Sequence, residues 1–156
     1  MSEREARVTA VADWLDRAAI DREDAISILN ARDSRFSNVA FHCQQTVEKL
    51  IKAFLVAHGA GFPKIHDIAR LLDEYVQPID ADLAAQAEFA RNLNVYAVAV
   101  RYPDFCEDID AAAARSLVDV AESAWALFEP RILELFEDED EPAADSPAEG
   151  AIDADE

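Results

Sequence analysis

Three glycines are too few for a chain of 156 residues to turn at the frequency an all-β fold requires. Gly59, Gly61 and Gly150 all lie outside the periodic segments, so the regular elements are free of this helix breaker. Cysteine is scarce too. Cys43 and Cys106 stand apart on apolar helical patterns, which excludes a disulfide scaffold and a zinc site and predicts buried free thiols in a reducing compartment. No window holds about 18 consecutive apolar residues, so no membrane span is expected. The first residues, Met-Ser-Glu-Arg-Glu, lack the basic and apolar regions of a signal peptide, and the expected location is the cytoplasm. Positive charge is also in short supply, with 14 Lys and Arg against 33 Asp and Glu. Ten of those acids fall in residues 137–156, which carry no basic residue. The first 136 residues therefore hold 23 acids and 14 bases, a net of -9. A surface of that sign opposes general attachment to nucleic acid, which depends on neutralising phosphates.

The hydrophobic set makes up 51 % of the chain, enough for one self-sufficient core. Much of it is alanine, which favours helix over strand. The spacing predicts five helices and a tail. The first runs from about Arg4 to Ala31, with Val8, Val11, Leu15, Ala18 and Ala19 on one face, extended by Ile26 and Leu29 after an irregularity near Asp21. Asp33 and Ser34 offer a cap for the second, about Ser34 to His58. Its residues Phe36, Ala40, Cys43, Val47, Leu50 and Phe54 form one narrow stripe, and Gly59 ends it.

A short third helix, about Ile65 to Val76, uses Ile65, Ile68, Leu72 and Val76 (or Leu71), and Pro78 stops it. Asp80 caps a fourth, about Ala81 to Val100, with Phe89, Leu93, Tyr96 and Val100 inward. The fifth, about Asp104 to Phe136, turns Ile109, Leu117, Val120, Ala124, Leu127 and Leu135 to the core. The expected architecture is an all-α, five-helix up-and-down bundle over residues 1–136, with the third helix covering one end. The acidic, proline-bearing residues 137–156 form a disordered tail in this reading.

Several polar clusters stand out. On the second helix Arg35, Asn38, His42, Gln45, Lys49 and Lys52 recur at steps of three and four and form one stripe opposite the core. That stripe is either a solvated face, as amphipathic helices normally have, or a strip that binds phosphate or RNA. Gln44 and Glu48 lie at its flank, where burial demands a partner from the protein. Arg101-Tyr102-Pro103-Asp104 forms a second cluster. Arg101, two residues before Pro103, can turn across the bundle end to pair with Glu48, the alternative being an exposed arginine at a helix start. His66-Asp67 reads as the first turn of the short helix, because no further ligands stand at metal-binding spacing. No metal and no cofactor are expected.

The run from Gln44 to Ala53, Gln-Gln-Thr-Val-Glu-Lys-Leu-Ile-Lys-Ala, followed by His66-Asp67, Leu93-Asn94-Val95-Tyr96 and Arg101-Tyr102-Pro103-Asp104, resembles the HEPN family. The resemblance covers roughly Val11 to Phe128. It implies a five-helix bundle, usually dimeric and often encoded beside a minimal nucleotidyltransferase. Many members are metal-independent ribonucleases with an arginine, four to six intervening residues and a histidine on the fourth helix. Here the nearest match is Arg91, four residues, then Tyr96. Tyrosine, with an ordinary pKa of about 10, is poorly suited to the acid–base work that histidine performs near neutrality.

The leading expectation is therefore a non-catalytic homodimeric module. It would bind a nucleotide or a nucleotidyltransferase partner through His42, Gln45, Glu48, Lys49, Lys52, Arg101 and Tyr102. The competing expectation is a ribonuclease, the toxin of a toxin–antitoxin pair, resting on Arg91 with Tyr96 or His42 as the acid–base group. A third is an adaptor in which every polar cluster serves the fold.

Overall fold

The computed structural model describes residues 1–32, 35–98 and 109–137. They form five helical segments in chain order, and no strand occurs among the described residues. They are α1 (Glu3–Asn30), α2 (Phe36–Ala57), α3 (Ile68–Arg70, continued as a π-helical turn, Leu71–Val76), α4 (Ala81–Gln86, continued as a 3₁₀ helix, Ala87–Val98) and α5 (Ala111–Glu137). The all-α bundle expected from the sequence is the fold observed.

The caps follow from local chemistry. The Ser2 hydroxyl accepts from the Glu5 amide and the Glu5 carboxylate accepts from the Ser2 amide, a reciprocal box that starts α1. Asp33 and Ser34 lie outside the described residues, and Arg35 precedes α2 with no side-chain cap bond. At the other end of α2, Gly59 takes φ 66°. Its amide bonds to the Val56 carbonyl while Ala60 reaches back to Leu55, the paired closure that a left-handed glycine permits. Asp67 and Asp80 cap α3 and α4 through the amides of Arg70 and Leu83.

Helix α2 is the axis of the bundle. It packs most extensively on α1, next on α5, and also on α3 and α4. The stripe from Ala40 to Phe54 is buried as expected, but so are Val39, Thr46, Ile51, Ala53 and Leu55 on its other sides. Phe54 meets Phe128 of α5 edge to face at 6.0 Å. Of the inward positions expected for the fifth helix, Ala124 is fully buried and Ile109, Leu117, Val120, Leu127 and Leu135 pack against the core partly buried, while Ala114, Phe128 and Ile132 lie as deep as Ala124.

Two expected faces are displaced. In α1 the inward line is Arg7, Val11, Trp14, Ala18, Asp21, Ala25 and Ile28, stepping by four and three. Val8 and Ile26 stay exposed, and the helix passes Asp21 without a break. In α4 the stripe Phe89, Leu93, Tyr96, Val100 assumed 3.6 residues per turn. At three per turn, positions i and i+3 eclipse instead. The buried line is Ala87, Ala90 and Leu93, with Tyr96 packed against the core, while Phe89 is 39 % exposed. Val100 lies outside the described residues. Leu93→Ala should cost about 2–5 kcal/mol in urea unfolding. Phe89→Ala should cost about 1 kcal/mol or less. Equal losses would contradict the 3₁₀ register.

Candidate functional site: two charge networks on the central helix

Because α2 is covered on most sides, its polar stripe is not a solvated face beyond Arg35, which stays exposed. From His42 to Lys52 the structure corrects that expectation. Lys52 is 5 % exposed. Its ammonium bonds to Glu48 at 2.6 Å and lies 5.6 and 5.7 Å from the rings of Trp14 and Phe62, which meet each other edge to face. Lys49 pairs with Asp21 of α1, whose other oxygen meets His42 Nδ1 at 2.8 Å. His42 and Lys49 are two helical turns apart, so one carboxylate from α1 clamps a length of α2. Asp21 is itself nearly buried. Burial pushes its pKa up, but the hydrogen bonds and charges of His42 and Lys49 outweigh that and hold it below the ordinary value.

Glu48 gathers the second network. Its carboxylate is 2 % exposed. It accepts from Lys52, from His66 Nδ1 at 3.0 Å and from Gln44 Nε2 at 3.0 Å, with Gln45 Nε2 at 3.5 Å. Gln44 also donates to the His66 carbonyl, and Gln45 donates to Gln44. The partners that Gln44 and Glu48 need are thus supplied from within, and among the described residues no buried side-chain nitrogen or oxygen lacks a partner. Arg101 and Tyr102, expected beside Glu48, lie outside the described residues.

Neighbouring residues complete the frame. Asn94 accepts from the Ile68 amide at 2.6 Å and donates to Asp67 at 2.7 Å, tying α4 to the start of α3. The Asp67 carboxyl is held low, first by the Arg70 amide, with a smaller contribution from Asn94 against the opposing effect of burial. Arg91 is bound by Asp73, with Nη1 at 3.0 Å in a two-pronged pair, and by Glu88 through Nε. Those carboxylates raise its pKa further. Tyr96, five residues on, faces the core instead. The structure therefore joins Arg91 to two acids and not to Tyr96.

Cys43 is buried, and desolvation pushes its thiol up to about 12, so it is chemically quiet. Among the described residues no group of three or more His, Cys, Asp or Glu could hold a metal ion. His66 stands apart from these buried groups, with its side chain 69 % exposed and its Nδ1 3.0 Å from the buried Glu48 carboxylate.

A family model for the HEPN domain matches residues 11–130. The chain belongs to the HEPN family. The match runs from the first buried position of α1, Val11, to just beyond Phe128, and so takes in every residue of both HEPN networks. Comparisons with curated proteins and with solved structures return no match.

Sequence reasoning missed five contributors to this HEPN site: Asp21, Trp14, Phe62, His66 and Asn94. For Asp21 a signal existed. It occupies the seventh-residue repeat of Arg7, Trp14 and Ile28, where an acid is out of place unless a base faces it. Asn94 stands in the Leu93-Asn94-Val95-Tyr96 run on which the resemblance rests, but the run does not give its partners, which are backbone and carboxyl groups 26 and 27 residues away.

Proposed function

We propose that this HEPN protein is a non-catalytic binding module of the cytoplasm. It forms a homodimer and acts with a minimal nucleotidyltransferase as its partner. The observation that carries this reading is the state of Arg91. An arginine that is to hold a scissile phosphate must give its donors to the substrate, and here they go to Asp73 and Glu88. The lysines of α2 support the same reading. Each already has a carboxylate partner, so the helix offers little net charge to RNA, and a protein surface is the better match for the exposed neighbourhood of Gln45 and His66.

In an RNA cleavage assay, wild type and Arg91→Ala should both give background traces. Co-expressed with a minimal nucleotidyltransferase, wild type should co-elute with it in gel filtration. Substrate turnover lost in Arg91→Ala, or separate elution, would reject the proposal.

One observation favours a second reading, the ribonuclease. His66 is an imidazole held by a carboxylate and open at Nε2, an arrangement suited to accepting the 2′-hydroxyl proton. In that reading His66, rather than Tyr96 or His42, is the acid–base group. RNA cleavage by wild type that vanishes in His66→Ala, with its fold intact by circular dichroism, would establish it.

A further inference from the structure

Helix α1 carries two apolar lines, and only one of them is covered. The first, through Val11, Trp14, Ala18 and Ala25, packs on the core. The second runs along the adjoining flank through Val8, Ala12, Leu15, Ala19 and Ile26, which keep the helical repeat. Val8, Ala12 and Ile26 are exposed, and Leu15 and Ala19 are half-buried.

That flank borders α5. Arg4 Nη2 donates to the Phe136 carbonyl at 3.2 Å, and Arg22 grips Glu122 in a two-pronged pair, so the two helices run antiparallel between these ties. Yet α1 packs far less on α5 than on α2. Along the seam α5 presents Trp125, half-buried, with Ala126 and Leu133 exposed. Counting inward from the ties sets Leu133 level with Val8 and Trp125 level with Leu15. From Val8 to Ile26 the line is about 27 Å long, the reach of a helix of about 18 residues.

The borders of the seam are acidic. Glu5, Asp16 and Glu23 edge the line on α1, and Asp119, Glu122 and Glu129 edge it on α5. The bases along these edges are Arg22 and Arg115. Arg22 is taken up by Glu122, whose hydrogen bond raises its pKa against the cost of burial, with the charges of Glu129 and Glu23 adding to the effect.

We infer that the α1–α5 seam docks a basic amphipathic helix of a partner protein. Its apolar stripe would lie on Val8, Leu15, Trp125 and Leu133, and its lysines or arginines would flank that stripe toward the acids. A second copy of this chain is the wrong occupant, since a two-fold seam would set acidic border against acidic border. RNA and anionic lipid meet the same repulsion. Asp21 and Trp14, which serve the two charge networks, leave α1 on its other flank, so the seam is a separate surface.

The test uses the full chain and a fluorescently labelled peptide of about 18 residues, with leucine at steps of three and four and lysine elsewhere. One control has the same residues in scrambled order. The other keeps the stripe and carries glutamate for every lysine. Anisotropy should show saturable micromolar binding of the leucine–lysine peptide, about tenfold weaker binding of the scrambled one, and none of the glutamate one. Val8→Gln with Leu133→Gln, at positions 40 % and 44 % exposed, should leave the helical melt unchanged and weaken binding by about tenfold. Asp16→Lys with Glu23→Lys should weaken it by about fivefold and flatten its dependence on salt. Amide shifts should cluster along the seam.

Equal affinity for the scrambled peptide would reduce the effect to bulk charge and overturn the inference. So would no binding at millimolar peptide, unchanged affinity in the Val8 and Leu133 double variant, or shifts centred on residues 137–156 or on Phe89 and Val95. The assay contains no nucleotidyltransferase, so its failure leaves that reading untouched. Separate elution of the nucleotidyltransferase while the peptide still binds would remove that reading alone.

Discussion

Replacing Glu48 with alanine should lower the stability of the folded chain by about 3–5 kcal/mol. The figure follows from what is left behind. Lys52 stays 5 % exposed between Trp14 and Phe62, and its ammonium loses the carboxylate bonded to it among the described residues. His66 and Gln44 lose an acceptor in the same step. The native pair is not therefore a large net source of stability, because desolvating two charges cancels most of their attraction. The double variant Glu48→Leu with Lys52→Met should accordingly recover to within about 1 kcal/mol of wild type. Urea unfolding followed by helical circular dichroism measures both. A loss below about 1 kcal/mol for Glu48→Ala is the behaviour of a surface pair and would contradict the burial argument.

That double variant also separates stability from function. If Glu48 and Lys52 hold His66 and Gln45 in place for a partner, the leucine–methionine protein will fold and yet lose co-elution with the nucleotidyltransferase. If the pair serves only the bundle, folding and binding will both survive.

Much of the fold could be read from the sequence because helix caps and stripes are local. Asp80 and Gly59 each act within five residues of themselves, and the Ala40-to-Phe54 stripe needs only the helical repeat. Asp67 departs from the expected first-turn position, since it caps a helix that starts at Ile68 and not at Ile65. What could not be read depends on partners distant in the chain. The polarity of Lys49 and Lys52 implies solvent only if nothing covers that side of α2. Two other segments do, one bringing Asp21 and Trp14 and the other Phe62 and His66. The register of α4 failed for a different reason. A twelve-residue 3₁₀ run is uncommon, and no residue in Ala87–Val98 announces three residues per turn except the spacing of Ala87, Ala90, Leu93 and Tyr96 itself.

Asp21→Asn should destabilise the protein by about 2 kcal/mol at pH 7, and the difference should shrink as pH falls below 4. The substitution keeps size and shape but removes the charge that His42 and Lys49 share. The sign of the pH dependence follows from the direction of the shift. Asp21 has a folded pKa below its ordinary value, so its contribution is fully present above that ordinary value, near 3.8, and is lost as pH falls through the lower folded one. Asparagine has nothing to titrate. Wild type therefore loses stability on acidification that the variant never had, and the two unfolding curves converge from above. Paired urea melts at pH 7 and pH 3 read this directly. A gap of the same size at both values would mean that Asp21 is not the acid-sensitive clamp between α1 and α2, whatever its distance to Lys49 and His42.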